Sequence, residues 1–128
     1  MNVPDDLRYT KTHEWVRMDG DVATVGVTDF AQDQLSDVTF IELPAVGDQV
    51  SAEDEVAVVE SVKAASDVYA PMTGTISEVN RRLETTPEIL NRDPYGAGWL
   101  FKIKISNSSE AEGFINAAAY SESMPDAD

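Results

Sequence analysis

The chain has 128 residues, 24 of them acidic against nine basic, for a formal charge of -15, and it contains no cysteine. That balance disfavours nucleic-acid phosphates and anionic membrane surfaces as partners, because like charges repel. Disulfides and thiolate metal sites are excluded, so any sulfur chemistry must come from a cofactor. The length suits one domain spanning 1–128, able to bury its own core. The carboxylates are spread along the whole sequence, and lysine occurs only at 11, 63, 102 and 104. This pattern suggests a solvated acidic surface of the kind found in halophilic proteins, where salt screens the repulsion. The N-terminus shows no signal peptide, and no stretch is long and apolar enough to cross a membrane. A cytoplasmic location is the expectation.

In chain order, residues 13–18 (HEWVRM) and 22–27 (VATVGV) read as strands around a tight turn at Asp19-Gly20-Asp21. A short helix follows from Thr28, with Thr28 or Asp29 as its cap and Phe30, Ala31 and Leu35 on its apolar face. Residues 38–43 form another strand, ended by Pro44. Gly47-Asp48 marks a turn. Residues 55–62 (EVAVVESV) are strand-like and valine-rich, and 66–70 resume extended structure up to Pro71. Residues 75–80 alternate as a strand. Residues 81–98 are irregular, with room for one helical turn near PEIL. Residues 99–106 (WLFKIKIS) give the clearest alternation. Ser108 or Ser109 then caps an amphipathic helix to about Tyr120, with Glu112 completing a capping box from Ser109. Residues 121–128 read as a frayed tail. Short, closely spaced strands with marginal helices predict a mostly β sandwich or barrel.

The chemistry concentrates in ESVKAASD, residues 60–67. Two strand-like runs flank it, so the simplest fold is a hairpin with Lys63 near its tip. A flexible four-carbon stem on a rigid turn presents its amine to an activated acyl group. Ser61, Ala64, Ala65 and Ser66 are small and leave that amine unobstructed. The sole histidine, His13, supplies neither a metal cluster nor a catalytic triad, so a structural role fits it best. Trp15, Trp99 and Phe101 read as core.

Residues 47–76 as a block resemble the biotinyl/lipoyl carrier pattern. Gly47-Asp48 precedes the strand, Glu60 stands three before the lysine, and Ala70-Pro71 with Gly74 follows it. Biotin carriers usually place methionine on both sides of the lysine. Val62 and Ala64 stand there instead, so a biotin carboxyl carrier is the weaker alternative. The segments LRYTKTHEW (7–15), VGVTDFAQDQL (25–35), IELPAVGD (41–48) and LNRDPYGAGWLFKIK (90–104) extend the resemblance to the H-proteins of the glycine cleavage system.

The resemblance implies a barrel-sandwich hybrid, a lipoyl-domain-like β sandwich with short peripheral helices and a C-terminal helix. It implies a carrier subunit rather than an enzyme, with lipoate joined by an amide to Lys63. The partners it implies are a glycine decarboxylase, an aminomethyltransferase, a dihydrolipoyl dehydrogenase, and a lipoate ligase or lipoyl transferase, serving a monomer. The arm carries the aminomethyl group of glycine between the first two and electrons to the third. Donation of the lipoyl group to other complexes is the alternative within the same fold. The arm-sheltering residues of the family map onto Glu14, Asp67 and Thr12. Gln34 stands where some relatives carry histidine, which leaves its role open. For Asp67, stabilising the turn is the competing reading.

Overall fold

The computed structural model describes residues 2–123. Among these residues, nine strands build two antiparallel sheets. β1 (Arg8–Tyr9), β2 (Glu14–Asp19), β3 (Val22–Val27), β5 (Gln49–Val50), β8 (Gly74–Val79) and β9 (Phe101–Ile105) form one, in the order β1-β2-β3-β9-β8-β5. β4 (Val38–Glu42), β6 (Glu55–Ser61) and β7 (Ala65–Tyr69) form the other, in the order β4-β6-β7. The expected mostly β sandwich with peripheral helices is what the chain adopts.

Alternation decides which side chains meet between the sheets. Val25, Phe101, Ile103 and Ile76 point inward from the larger sheet, and Ile41, Val59 and Val68 from the smaller one. A second cluster gathers Leu7, Tyr9, Trp15 and Tyr120. Trp15 and Phe101 are fully buried, as expected of core residues. Trp99 is only half-buried, with the Lys102 ammonium over its ring at 5.1 Å. Gly26 lies opposite Trp15 in the β2–β3 pairing. A Cβ there would sit 2.6 Å from the indole, so the tryptophan occupies space that only glycine leaves free.

Thr28 caps α1 (Asp29–Leu35), accepting from the Ala31 N–H at 3.2 Å. Two helical turns, α2 (Arg82–Thr85) and α3 (Ile89–Arg92), occupy the irregular stretch, one more than its composition predicts. The C-terminal region departs further from expectation. Residues 108–120 do not form one helix capped by Ser108 or Ser109. Asn107 caps a 3-10 turn at Ser108–Gly113, accepting from the Ser109 N–H. The chain then extends so that Ile115 exchanges backbone hydrogen bonds with Tyr9. That pairing satisfies strand edge β1 and breaks the helix. α4 (Ala117–Ser123) starts afterwards, with Asn116 Oδ1 accepting from the Ala119 N–H. Glu112 closes no capping box on Ser109. Its neighbour Glu110 instead holds the Thr73 N–H and hydroxyl. α4 takes in Ser121, Glu122 and Ser123, which the sequence assigns to the tail, and the remainder of that tail lies outside the described residues.

Candidate functional site: a hairpin-tip lysine beside a divided cleft

β6 and β7 form the expected hairpin, with Glu60 opposite Ala65 as its last pair. Val62, Lys63 and Ala64 make the connection, and all three are exposed. Without glycine or proline, the turn is held by side-chain chemistry. Ser61 Oγ accepts from the backbone N–H groups of Lys63 (3.1 Å) and Ala64 (3.2 Å). The Ser61 N–H donates to the Ala64 carbonyl at 2.8 Å, and the Val62 N–H reaches the carbonyl of Asp37, just before the neighbouring strand β4. Lys63 therefore has a mobile stem on a fixed base. Asp67 takes no part in the turn; it pairs with Val58 farther down the hairpin.

Glu14 opens β2 and is only 2% exposed. The hydroxyls of Thr10 and Thr12 both donate to its Oε1. The Tyr69 N–H donates to its Oε2 at 3.3 Å. Glu14 belongs to the larger sheet and Tyr69 to the smaller, so this carboxylate ties the two together. Tyr69 lies on β7, an edge strand, and its N–H points outward from the hairpin. By the two-residue period, the backbone groups of Asp67 share that outer edge.

Thr12 and Glu14 form the wall between two clefts. The larger, about 610 Å³, has Thr10, Lys11, Glu53, Tyr69, Glu110 and Phe114 among its lining residues. The smaller, about 160 Å³, has an apolar part from Val27, Phe30, Leu35, Val59 and Val68, and a polar part from Thr12, His13, Glu14, Gln34 and Asp67. The three arm-sheltering candidates, Thr12, Glu14 and Asp67, and Gln34 are scattered over more than fifty positions of sequence, and all of them line this one cleft; Lys63 does not. Drug-sized ligand pockets run to roughly 300–1,000 Å³. The smaller cleft suits a slim chain with a polar end. Asp67 lies four residues from Lys63, roughly 13 Å of extended backbone at ~3.3 Å per residue. A lysine lengthened by a short acyl chain covers that span, so these residues fit a lipoyl arm.

His13 has a left-handed backbone, with φ of 70°. Its Nδ1 lies 2.7 Å from the Tyr120 hydroxyl, and its ring packs on Phe30 at 4.8 Å. Burial lowers its pKa below the ordinary histidine value, and the nearby Glu14 charge opposes this more weakly. No group of three or more potential metal ligands exists among the described residues. Sequence reasoning missed four contacts around these residues: Thr10 and Tyr69 on Glu14, Ser61 at the lysine turn, and Tyr120 on His13. Thr10 had a weak signal, as a second hydroxyl four residues before Glu14. Tyr69 contributes through its backbone, which leaves no trace in residue type.

A surface lysine on the tip of a β hairpin, anchored by a two-sheet sandwich and flanked by a narrow cleft, defines a swinging-arm carrier protein. Residues 7–127 match the family of the Glycine cleavage H-protein. The glycine cleavage system H protein of Alteromonas mediterranea is 57% identical, with 96% of each chain covered. The probable glycine cleavage system H protein of Haloarcula marismortui is 52% identical, covering 93% of this chain and 94% of that one. The crystal structure of a glycine cleavage system H protein from Mycobacterium marinum superposes with a TM-score of 0.83 at 36% identity, covering 94% of this chain and 97% of the other. The chain belongs to the glycine cleavage H-protein family. It is a lipoyl carrier of the glycine cleavage system, a subunit that presents cargo rather than an enzyme.

Proposed function

We propose that Lys63 carries lipoate through an amide on Nζ, and that the smaller cleft shelters the amine cargo brought back on that arm. The observation that carries this reading is the convergence of Thr12, Glu14, Gln34 and Asp67 on one cleft beside the hairpin that bears Lys63. When bound, the lipoyl group supplies the redox disulfide and the sulfur to which a one-carbon unit is joined.

The protein's own residues do the rest. Ser61 fixes the base of the arm. The small side chains around Lys63 admit an acylating enzyme. Glu14 supplies the charge. An ionised carboxylate has about four acceptor positions. Thr10, Thr12 and Tyr69 use three of them, and the remaining one is left for a ligand. A carboxylate beside an amine raises the amine's pKa and keeps it as an ammonium. An ammonium has no lone pair with which to expel a neighbouring sulfur, so the cargo stays attached. Asp67, exposed on the edge of β7, adds a second carboxylate near the cleft mouth. The partners are the decarboxylase, the aminomethyltransferase and the dihydrolipoyl dehydrogenase, with a ligase or lipoyl transferase to install the arm, all in the cytoplasm.

Intact-mass analysis tests the first half: one lipoyl mass on the parent chain and none on Lys63→Ala. Glycine-dependent carbon dioxide exchange in a reconstituted system tests the second. A biotin mass, or exchange that persists in Lys63→Ala, overturns the reading.

A further inference from the structure

The single histidine lies beside Glu14, and the hydrogen-bond chain behind it fixes which ring nitrogen carries the proton. Thr28 is fully buried, and its Oγ1 lies 2.7 Å from the Tyr120 hydroxyl. The same Oγ1 accepts from the Ala31 N–H. A hydroxyl has one proton to give, and the Tyr120 oxygen is the acceptor within reach of it. Thr28 therefore donates to Tyr120. Having accepted there, Tyr120 directs its own proton to His13 Nδ1, 2.7 Å away. The opposite order leaves a donor unpaired in the interior, which is unfavourable. Nδ1 is thus an acceptor, and the ring proton sits on Nε2.

Among the described residues, no protein atom hydrogen-bonds Nε2. No buried side-chain nitrogen or oxygen among the described residues lacks a partner. Nε2 therefore reaches open space, and His13 lines the smaller cleft.

We infer that His13 presents a neutral Nε2–H to this cleft as a hydrogen-bond donor for the sulfur end of the arm, with Thr28 and Tyr120 as positioning residues that fix its tautomer. The inference rests on the cleft being the arm's shelter. The cleft then has two complementary points, an acceptor at Glu14 for the ammonium and a donor at His13 for sulfur. Neutrality matters, because an imidazolium would repel the ammonium and would offer a proton to a departing sulfur. α4, through Tyr120, becomes part of the site although none of its residues lines the cleft.

The test is long-range nitrogen–proton NMR of the imidazole, unambiguous because the chain has one histidine. The unmodified parent should show the Nε2–H tautomer alone, and Tyr120→Phe should lose that single-tautomer signature. An Nδ1–H tautomer in the parent overturns the inference. The lipoylated chain is then loaded from labelled glycine by the decarboxylase. The His13 Nε2–H resonance should move on loading. His13→Asn keeps a residue that tolerates the left-handed backbone and an acceptor toward Tyr120, but its shorter NH₂ group stops short of the Nε2 position. It should shed cargo about fivefold faster, the worth of one ordinary hydrogen bond. His13→Gln, which places an amide N–H near the Nε2 position, should recover part of that loss. If the Thr12 and Gln34 resonances move on loading while His13 stays still, the donor role fails and the cleft reading stands. If none of them moves, both fall.

Discussion

Replacing Glu14 by glutamine isolates the charge from the shape. The side chain keeps its length, and one oxygen can still accept from Thr10 and Thr12. The new NH₂ group then faces the Tyr69 N–H, donor against donor. That contact is already long at 3.3 Å, so the structural penalty is modest, about 1.5–2 kcal/mol, the low end for a hydrogen bond to a charged group. A melting curve should fall by several degrees, since 1 kcal/mol shifts a domain of this size by about 2–8 °C. The effect on the cargo is larger in proportion. A charge-assisted bond to an ammonium contributes about 1.5–3 kcal/mol, so release should quicken by roughly 10- to 150-fold. The assay loads lipoylated Glu14→Gln from labelled glycine, removes the decarboxylase, and follows the loss of the bound carbon by mass spectrometry. An unchanged decay rate in a variant that folds and accepts lipoate refutes the role given to Glu14.

Lys63→Arg should fold and melt like the parent yet gain no lipoyl mass, because a guanidinium keeps the charge without a comparable nucleophilic amine. Lipoylation of the parent should take the formal charge from -15 to -16, visible as faster native migration toward the anode. Gly26→Ala should destabilise by about 1–3 kcal/mol through the clash with Trp15, read by denaturant titration with an unchanged m-value. His13 has a folded-state pKa below its unfolded value of 6.5, so the unfolded chain binds the extra proton as pH falls through 6.5. Stability should therefore decline below that pH, down to the folded pKa, and His13→Asn should lose that part of the slope. The acidic surface should make the melting temperature rise in molar salt, measured by calorimetry with and without potassium chloride.

The legible parts of this protein were those written locally. The β6–β7 hairpin follows from two valine-rich runs around a lysine. Thr28 announces its own helix as an N-cap, and β9 announces itself by alternation. The parts that stayed hidden depend on partners distant in sequence. β1 is two residues long, and its pairing with Ile115 breaks what looked like a continuous C-terminal helix. Asn107 took the cap expected of Ser108 or Ser109 because its side chain is placed to accept the Ser109 N–H. Within the site, the motif identified Glu14 but gave no hint that Tyr69 binds it through a backbone N–H. Asp67 looked as suited to a turn as to a cleft, and only the hairpin register separates the two, because Ser61 already holds the turn. His13 read as structural, and it is so on its Nδ1 side. Its Nε2 side could not be read without knowing that Tyr120 packs against it.

The turn that Ser61 fastens has a consequence for how tightly the cleft needs to bind. An arm on a fixed base explores a small volume around the hairpin tip, so its far end visits the cleft at an effective concentration of the order of millimolar or above. A site with an intrinsic dissociation constant of about 1 mM, only about 4 kcal/mol of binding, is then half filled. Such a shelter can be leaky by design. On the proposed reading of the cleft, an enzyme that docks and offers a modestly better pocket would draw the cargo across without prying apart a strong complex, and the arm would return to cover when the enzyme leaves. Rigidity at the anchor thus allows weakness at the tip, and that weakness keeps hand-over between successive enzymes fast.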